Sequence, residues 1–421
     1  MLQYTASAGA VDIRDNSGKI GATMFYAAYF LGSGSAVQRP VTFFFNGGPG
    51  SSSIWLHLGS FGPRRIQTQA PFAALNPPYD LGDNNDSLLD RSDLVFLDQV
   101  GTGFSRPQGG ADLKSFWGTD PDIDAFGRGI ERFLTVYGRW NSPKILFGES
   151  YGTARAAGLA LRLQRDGVQL NGVILLSSFL NYGRRDTGFD REMVNFIPTF
   201  AAVSAYHNRL KTPPSDLLAF LQEVRDWAQG PYSAALAIGQ YLPQEKRQQI
   251  AEQMAAYTGL PVQFILNCKL RVDPFRYRKE LLREQRRSLG RYDARFTGDD
   301  EDAQGEEPDG DVSSTGIRGP FTAALHPYLV EELGYRTSLD YRATFYSAMN
   351  GGLQWNYDHR GPAGRGAEKT HDNPDPHVPI WSMTSQWRFE RTPTSLFIRL
   401  TVCTIYRPHF SGPNMTSPTC T

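Results

Sequence analysis

The chain has 421 residues, 40% hydrophobic and 20% charged, with 43 Lys+Arg set against 43 Asp+Glu. That balance leaves no net field to draw the protein onto nucleic acid or an anionic membrane surface, and no apolar run approaches the length of a membrane span. The 12% of aromatic residues supply bulk for a real core, and 42 Gly and 27 Pro mark many turns without forming a repeat, so a wholly disordered chain is excluded.

The opening MLQYTASAGAVDIRD has no basic segment followed by an apolar stretch, so no secretory signal is read there. The expectation is a cytoplasmic protein or a chain without its natural N-terminus. Lys19 to Phe30 (KIGATMFYAAYF) reads as a strand of an antiparallel hairpin. Arg39 to Phe45 (RPVTFFF), Asp93 to Val100 (DLVFLDQV), Lys144 to Phe147 (KILF) and Gly172 to Leu176 (GVILL) are continuous apolar runs of strand length, the signature of strands buried on both faces. Between them Ile123, Phe126, Ile130, Phe133, Leu134 and Tyr137 recur at helical spacing, and Ala154 to Leu163 is rich in Ala and Leu. Strands alternating with helices predict an α/β fold with a mostly parallel sheet, because parallel neighbours need crossovers.

From Glu192 to Tyr328 the periodicity is helical, as in Asp216 to Gln229 and Gln244 to Tyr257, with no strong strand run. The predicted organisation is an N-terminal core part (1–190), a helical insertion (191–330), a return to the core (331–360) and an atypical C-terminal segment (361–421). Within the insertion a basic stretch, Lys269 to Arg295, precedes an acidic one, Asp299 to Asp302 with Glu306, Glu307, Asp309 and Asp311. These read as solvated faces that neutralise one another, with substrate guidance by the basic part as the other option. The three cysteines, Cys268, Cys403 and Cys420, are scattered and give neither a disulfide framework nor a metal site, and no cofactor is expected.

Gly148-Glu149-Ser150-Tyr151-Gly152 matches G-x-S-x-G, and it lies between a buried strand and an Ala-rich helix, the context the motif requires. Such a turn pushes the Ser150 hydroxyl out at the strand's end and leaves N–H groups of the new helix unpaired, which suits a nucleophile. Upstream, Asn46-Gly47-Gly48-Pro49-Gly50-Ser51-Ser52-Ser53 follows another strand end, and its glycines allow backbone N–H groups to converge on an oxyanion. A phosphate loop would need the Lys and spacing of G-x-x-x-x-G-K-[ST], which are missing.

NGGPGSSS, LGSFGPRR (Leu58 to Arg65), LVFLDQVGTGFSR (Leu94 to Arg106) and GESYG, in that order, resemble the serine carboxypeptidases, carboxypeptidase Y-like peptidases with bacterial members. The likeness runs more loosely through Asn195 to His207 and Leu289 to Gly298, to about Trp355. The resemblance implies an α/β-hydrolase fold with a helical cap inserted after the sixth core strand, and removal of C-terminal residues from peptides with a free carboxylate through an acyl-enzyme. It implies Ser150 as nucleophile, N–H groups of Gly48 and Tyr151 as the oxyanion hole, and Asn46 with Glu149 as ligands of the substrate carboxylate. Glu149 must be protonated to donate, which burial can arrange. The family's exported members imply a secreted or periplasmic setting. Two departures stand out. A second glutamate that pairs with the one beside the nucleophile is replaced by Ser60, and a disulfide-forming cysteine is replaced by Ser51.

An α/β-hydrolase triad continues with an Asp or Glu after a late strand and a His near the C-terminus. The family's Asp-ending strand and Gly-His-Met segment are both missing, so the triad Asp and His are not identifiable. His359, His371, His377 and His409 read as exposed loop histidines, and Asp358, Asp372 and Asp375 are no better placed. His57 reads as packing, with His207 and His326 in or near the insertion. One strand, SLFIRLTVCTIY, is plausible after Trp355. The simplest account is a reading-frame change after about residue 360, leaving activity impaired. Two alternatives are an esterase or acyltransferase on the same scaffold and a catalytically defective peptide-binding chain.

Overall fold

The computed structural model describes residues 3–32, 38–68, 71, 76–180, 190–345 and 352–359, together with the backbone of 396–398. Chain order begins with an antiparallel pair, β1 (Tyr4–Arg14) and β2 (Ile20–Leu31). There follow β3 (Val41–Phe45), a single turn α1 (Ile54–Leu56), a small hairpin of β4 (Arg64–Ile66) and β5 (Leu81–Asp83), then β6 (Asp93–Leu97) and β7 (Arg106–Pro107). Helix α2 (Thr119–Val136), β8 (Lys144–Glu149), α3 (Tyr151–Arg165) and β9 (Gly172–Leu176) complete this part.

The main sheet has the order β1-β2-β6-β3-β8-β9-β12, where β12 is Leu396–Ile398. Strands β1, β2 and β6 pair antiparallel, while β6, β3, β8, β9 and β12 are mutually parallel. This is the mostly parallel α/β-hydrolase sheet that the sequence predicts. Residues of β3 and β6 are buried without exception, as continuous apolar runs require. Alternate side chains divide between two cores. Phe43, Phe45, Val95 and Leu97 join Phe126, Ile130, Phe133 and Leu159 of α2 and α3 on one face. Phe44, Phe96 and Phe147 face the other way, against Leu56, Leu58, Phe321 and Leu325.

A third core belongs to helices α4 (Arg191–Tyr206), α5 (Leu217–Trp227), α6 (Ser233–Ile238), α7 (Gln244–Thr258), α8 (Val262–Asn267) and α9 (Pro274–Glu280). Side chains cap two of them: Asp216 accepts from the N–H groups of Leu218 and Ala219, and Asp273 from those of Phe275 and Arg276. Here the structure departs from the expectation of no strand, since β10 (Arg287–Leu289) and β11 (Thr297–Asp299) form a hairpin. Its residues are mostly polar and short in run, so no apolar pattern announces it. Helix α10 (Val312–Pro327) then returns to the second core.

The basic and acidic stretches do meet, but not only as solvated faces. Arg276 pairs with Glu306 at 2.7 Å near the surface, whereas Lys279 Nζ and Asp300 Oδ2 pair at 2.6 Å with side chains 0% and 1% exposed. A second buried pair, Arg139 with Asp93 at 2.6 Å, ties the end of α2 to the N-terminal end of β6; Arg39 also reaches Asp93.

Phe133 is the pivot of the first core, stacked on Tyr137 at 4.4 Å and edge-on to Phe43 and Tyr26 at 5.6 and 5.3 Å. Phe133→Ala is expected to destabilise the protein by about 3–5 kcal/mol in urea unfolding, from lost burial and the cavity left behind.

Candidate active site

Ser150 stands between β8 and α3 with φ 58° and ψ −124°, on the left-handed side that non-glycine residues rarely occupy. Such strain costs roughly 1–3 kcal/mol and persists only where neighbours enforce it. They do so through glycine. A Cβ on Gly148 would lie 2.0 Å from the Gly152 carbonyl oxygen, and one on Gly152 would lie 2.7 Å from that of Phe45. The elbow is pinned by Ser150 N donating to the Leu176 carbonyl at 3.0 Å and by Thr153 Oγ1 donating to the Ser150 carbonyl at 2.7 Å.

The loop after β3 closes on this elbow. A Cβ on Gly47 would lie 2.4 Å from Tyr151 N and 2.9 Å from Gly152 N, so only glycine permits the approach. Gly48 and Gly50 adopt φ +110° and +101°. The loop therefore faces the first turn of α3, where helix N–H groups have no intrahelical acceptor. Gly48 and Tyr151, the residues expected to bind an oxyanion, sit on these two adjoining segments.

Asn46 and Glu149 also come together. Asn46 Nδ2 donates to Glu149 Oε2 at 3.0 Å, and its Oδ1 accepts from Leu56 N at 3.1 Å, which fixes the amide's orientation. Burial raises the Glu149 pKa, opposed by the hydrogen bonds from Asn46 and the Gly47 backbone. Ser60, at the expected glutamate's place, turns its hydroxyl to the Trp55 carbonyl at 3.4 Å. Tyr292, exposed on the turn between β10 and β11, is a neighbour that sequence reasoning missed: partial desolvation of the phenol raises its pKa, and Glu149 is close enough to raise it further.

Beneath the loops lies a buried polar layer with no motif of its own. Arg155 Nε donates to Asp122 Oδ2 at 2.6 Å, its Nη1 to the Asn46 carbonyl at 2.7 Å and its Nη2 to Gln99 Oε1 at 2.8 Å. Gln99 Oε1 also accepts from Gly50 N at 3.0 Å. Asp98 accepts from Ser53 N at 2.7 Å, and burial pushes its pKa up to about 7 against the pull of Ser53, Tyr341 and Arg106. Residues 341–345 thread between these loops, with Ser51 bridged to Thr344 and Gly103 to Arg342. An arginine within the apolar stretch TARAAGLALRL was the one available signal for this layer.

The histidines divide. His57 is buried, stacked on Phe96 at 4.6 Å, with Nε2 2.5 Å from the Tyr29 hydroxyl, and burial lowers its pKa to about 3. His207 Nε2 contacts the Ala294 carbonyl at 2.7 Å, and His326 is exposed on α10. His359 is not the exposed loop residue that the sequence suggested. Its Nδ1 lies 2.5 Å from Asp120 Oδ1, its side chain is 21% exposed, and Trp355 four residues earlier packs edge-on to Tyr151 and to Trp117, each at 5.3 Å. Asp358 precedes it in the exposed part of this segment. His371, His377, His409, Asp372, Asp375, Cys403 and Cys420 lie outside the described residues. Cys268 is a free, half-buried thiol, and among the described residues no group of three His, Cys, Asp or Glu could hold a metal.

Comparison with known proteins finds partial matches. Residues 2–180 match the serine carboxypeptidase family. The pheromone-processing carboxypeptidase KEX1 of Saccharomyces cerevisiae is 32% identical over 129 residues, which are 28% of this chain and 16% of that protein, so the match spans about one sixth of its length. Among solved structures, a prohormone-processing carboxypeptidase from Saccharomyces cerevisiae aligns over 84% of this chain and 68% of its own, with 16% identity and a TM-score of 0.47. Brefeldin A esterase, a bacterial homologue of human hormone-sensitive lipase, aligns over 46% and 45%, with 11% identity and a TM-score of 0.27. The match to the serine carboxypeptidase family falls on residues 2–180, the stretch that carries Ser150 and the loops that face it.

Proposed function

We propose that the chain is built to hydrolyse C-terminal peptide bonds, with Ser150 Oγ attacking the scissile carbonyl to form an acyl-enzyme. N–H groups of Gly48 and Tyr151 receive the oxyanion as it forms, where fixed donors do most for the transition state. The observation that carries this reading over an esterase is the Asn46–Glu149 pair beside the nucleophile. Asn46 Nδ2 and a protonated Glu149 donate to the terminal carboxylate of a peptide. Ordinary esters lack that group, and a raised Glu149 pKa supplies the proton.

The sign of the pH dependence follows. Glu149 holds its proton to higher pH than an ordinary carboxyl, and a bound carboxylate raises its pKa further. Affinity for an N-blocked dipeptide acid is therefore full below that pKa and falls as pH rises through it, by about tenfold per unit beyond. In Glu149→Gln the amide donates at every pH, so calorimetric binding should lose its pH dependence while the dipeptide amide binds weakly to both proteins. Equal binding of acid and amide by the unaltered chain would remove the basis of the proposal. A fluorophosphonate should label Ser150, slowly without a family base, and Ser150→Ala should abolish labelling.

Impaired turnover belongs to the same reading. A change of reading frame after about residue 360 accounts for the missing triad Asp and His. Nucleotide sequence across codons 355 to 421 decides it. One alternative frame should encode a strand-ending Asp and, further on, Gly-His-Met; if neither does, the frame explanation is wrong.

A further inference from the structure

Among the described residues, two fully buried arginine–aspartate pairs of like chemistry lie at opposite ends of the strands. Arg139 and Asp93 lie at the N-terminal ends, where Arg139 also donates to the Arg39 carbonyl at 2.8 Å and to Ser142 Oγ at 2.7 Å. Arg155 and Asp122 lie at the C-terminal ends, beneath the nucleophile, with side chains 0% and 1% exposed. Burying such a pair is costly, and replacing it by apolar groups is often neutral or stabilising. Stability alone is thus a weak account of Arg155.

Its acceptors indicate another role. The guanidinium collects three elements at one point beyond the strand ends: Asp122 from α2, the Asn46 carbonyl after β3 and Gln99 after β6. Its planar fork meets all three at once, and its faces contact the Phe126, Tyr151 and Phe45 rings at 4.3, 5.3 and 5.5 Å. Gln99 relays the hold to Gly50 N through the same Oε1 that Arg155 binds, while Gln99 Nε2 is buried without a partner. An unsatisfied amide is a cost that the loop contact at Oε1 must offset.

We propose that Arg155 is a positioning residue for acyl transfer: it fixes the Asn46 carbonyl directly and the Gly50 N–H through Gln99, and so holds the 46–50 loop against Ser150 and Tyr151. The inference rests on reading that loop as the oxyanion loop. Arg155 touches no substrate; it acts through the loop's backbone and through the Asn46 amide that faces Glu149.

Hydrogen exchange by mass spectrometry on the full chain tests this, comparing Arg155→Met, Arg155→Lys and Arg139→Met with the unaltered protein. Arg155→Met should speed exchange of the peptide covering 46–53 at least tenfold while peptides from α2 change less than twofold. Arg155→Lys, with its charge but not its fork, should fall between, and it serves alone if the Met variant does not fold. Arg139→Met, matched in burial, should leave the 46–53 peptide within twofold. Unchanged exchange in both Arg155 variants, or equal loosening by Arg139→Met, overturns the proposal. Dipeptide acid binding, measured in parallel, separates the two readings. Its absence from every protein would remove the carboxypeptidase reading, while the exchange data still decide what Arg155 holds.

Discussion

Everything at the candidate site depends on how closely three backbone segments approach one another around Ser150. Strand β8, the first turn of α3 and the loop after β3 meet at separations that a single Cβ would prevent, at Gly47, Gly148 and Gly152. The positive φ of Ser150 is a consequence: with both ends of the elbow clamped, the serine is the residue left to take the turn. Packing of the large central phenylalanines, Phe43 to Phe45 and Phe147, holds the strands that deliver these segments. Chemistry at one hydroxyl is thus set by sterics over a much larger region.

Burial governs the charges in the same way, with results that differ by partner. Asp122 faces the Arg155 guanidinium, and burial still raises its pKa against that pull. Asp98 faces a backbone N–H, a tyrosine and a more distant arginine, and burial lifts it to about 7. At Glu149 burial outweighs the hydrogen bonds from the Asn46 amide and the Gly47 backbone, so its pKa also rises, in the direction a carboxylate-binding acid requires. Neither outcome needs a special device. Each follows from which donors the closing loops bring within reach.

The central strands were legible because an apolar run of five residues buried on both faces leaves a continuous pattern, as in VTFFF and DLVFL. Ser150 and the 46–50 loop were legible because glycine at a strand end has few other uses. Arg155, Gln99 and Asp98 were not. A buried polar residue is defined by partners distant in sequence, and Arg155, the first of two arginines in TARAAGLALRL, looks like a solvated helix residue until Asp122 and Asn46 are placed around it. The same reason hid the Lys279–Asp300 pair inside what read as two solvated charge runs, and the Asp120 partner of His359.

Burial changes systematically across the parallel sheet, and that gradient separates the two halves of the chemistry. β3 and β6 are buried at every position, while β9 alternates, with Val173 and Leu175 buried and Ile174 and Leu176 only half-buried. Ser150, the 46–50 loop and the Asn46–Glu149 pair all hang from β3 and β8 near the centre, where the surrounding core over-determines their positions. The acid and base of a hydrolase triad come later in the chain, from strands beyond β9 in this sheet order. Their geometry depends on an edge with less packing to hold it, and β12, three residues on the outer side of β9, is its only strand among the described residues. A change late in the chain therefore bears on that edge and leaves the surroundings of Ser150 intact, because the two are supported by different parts of one sheet.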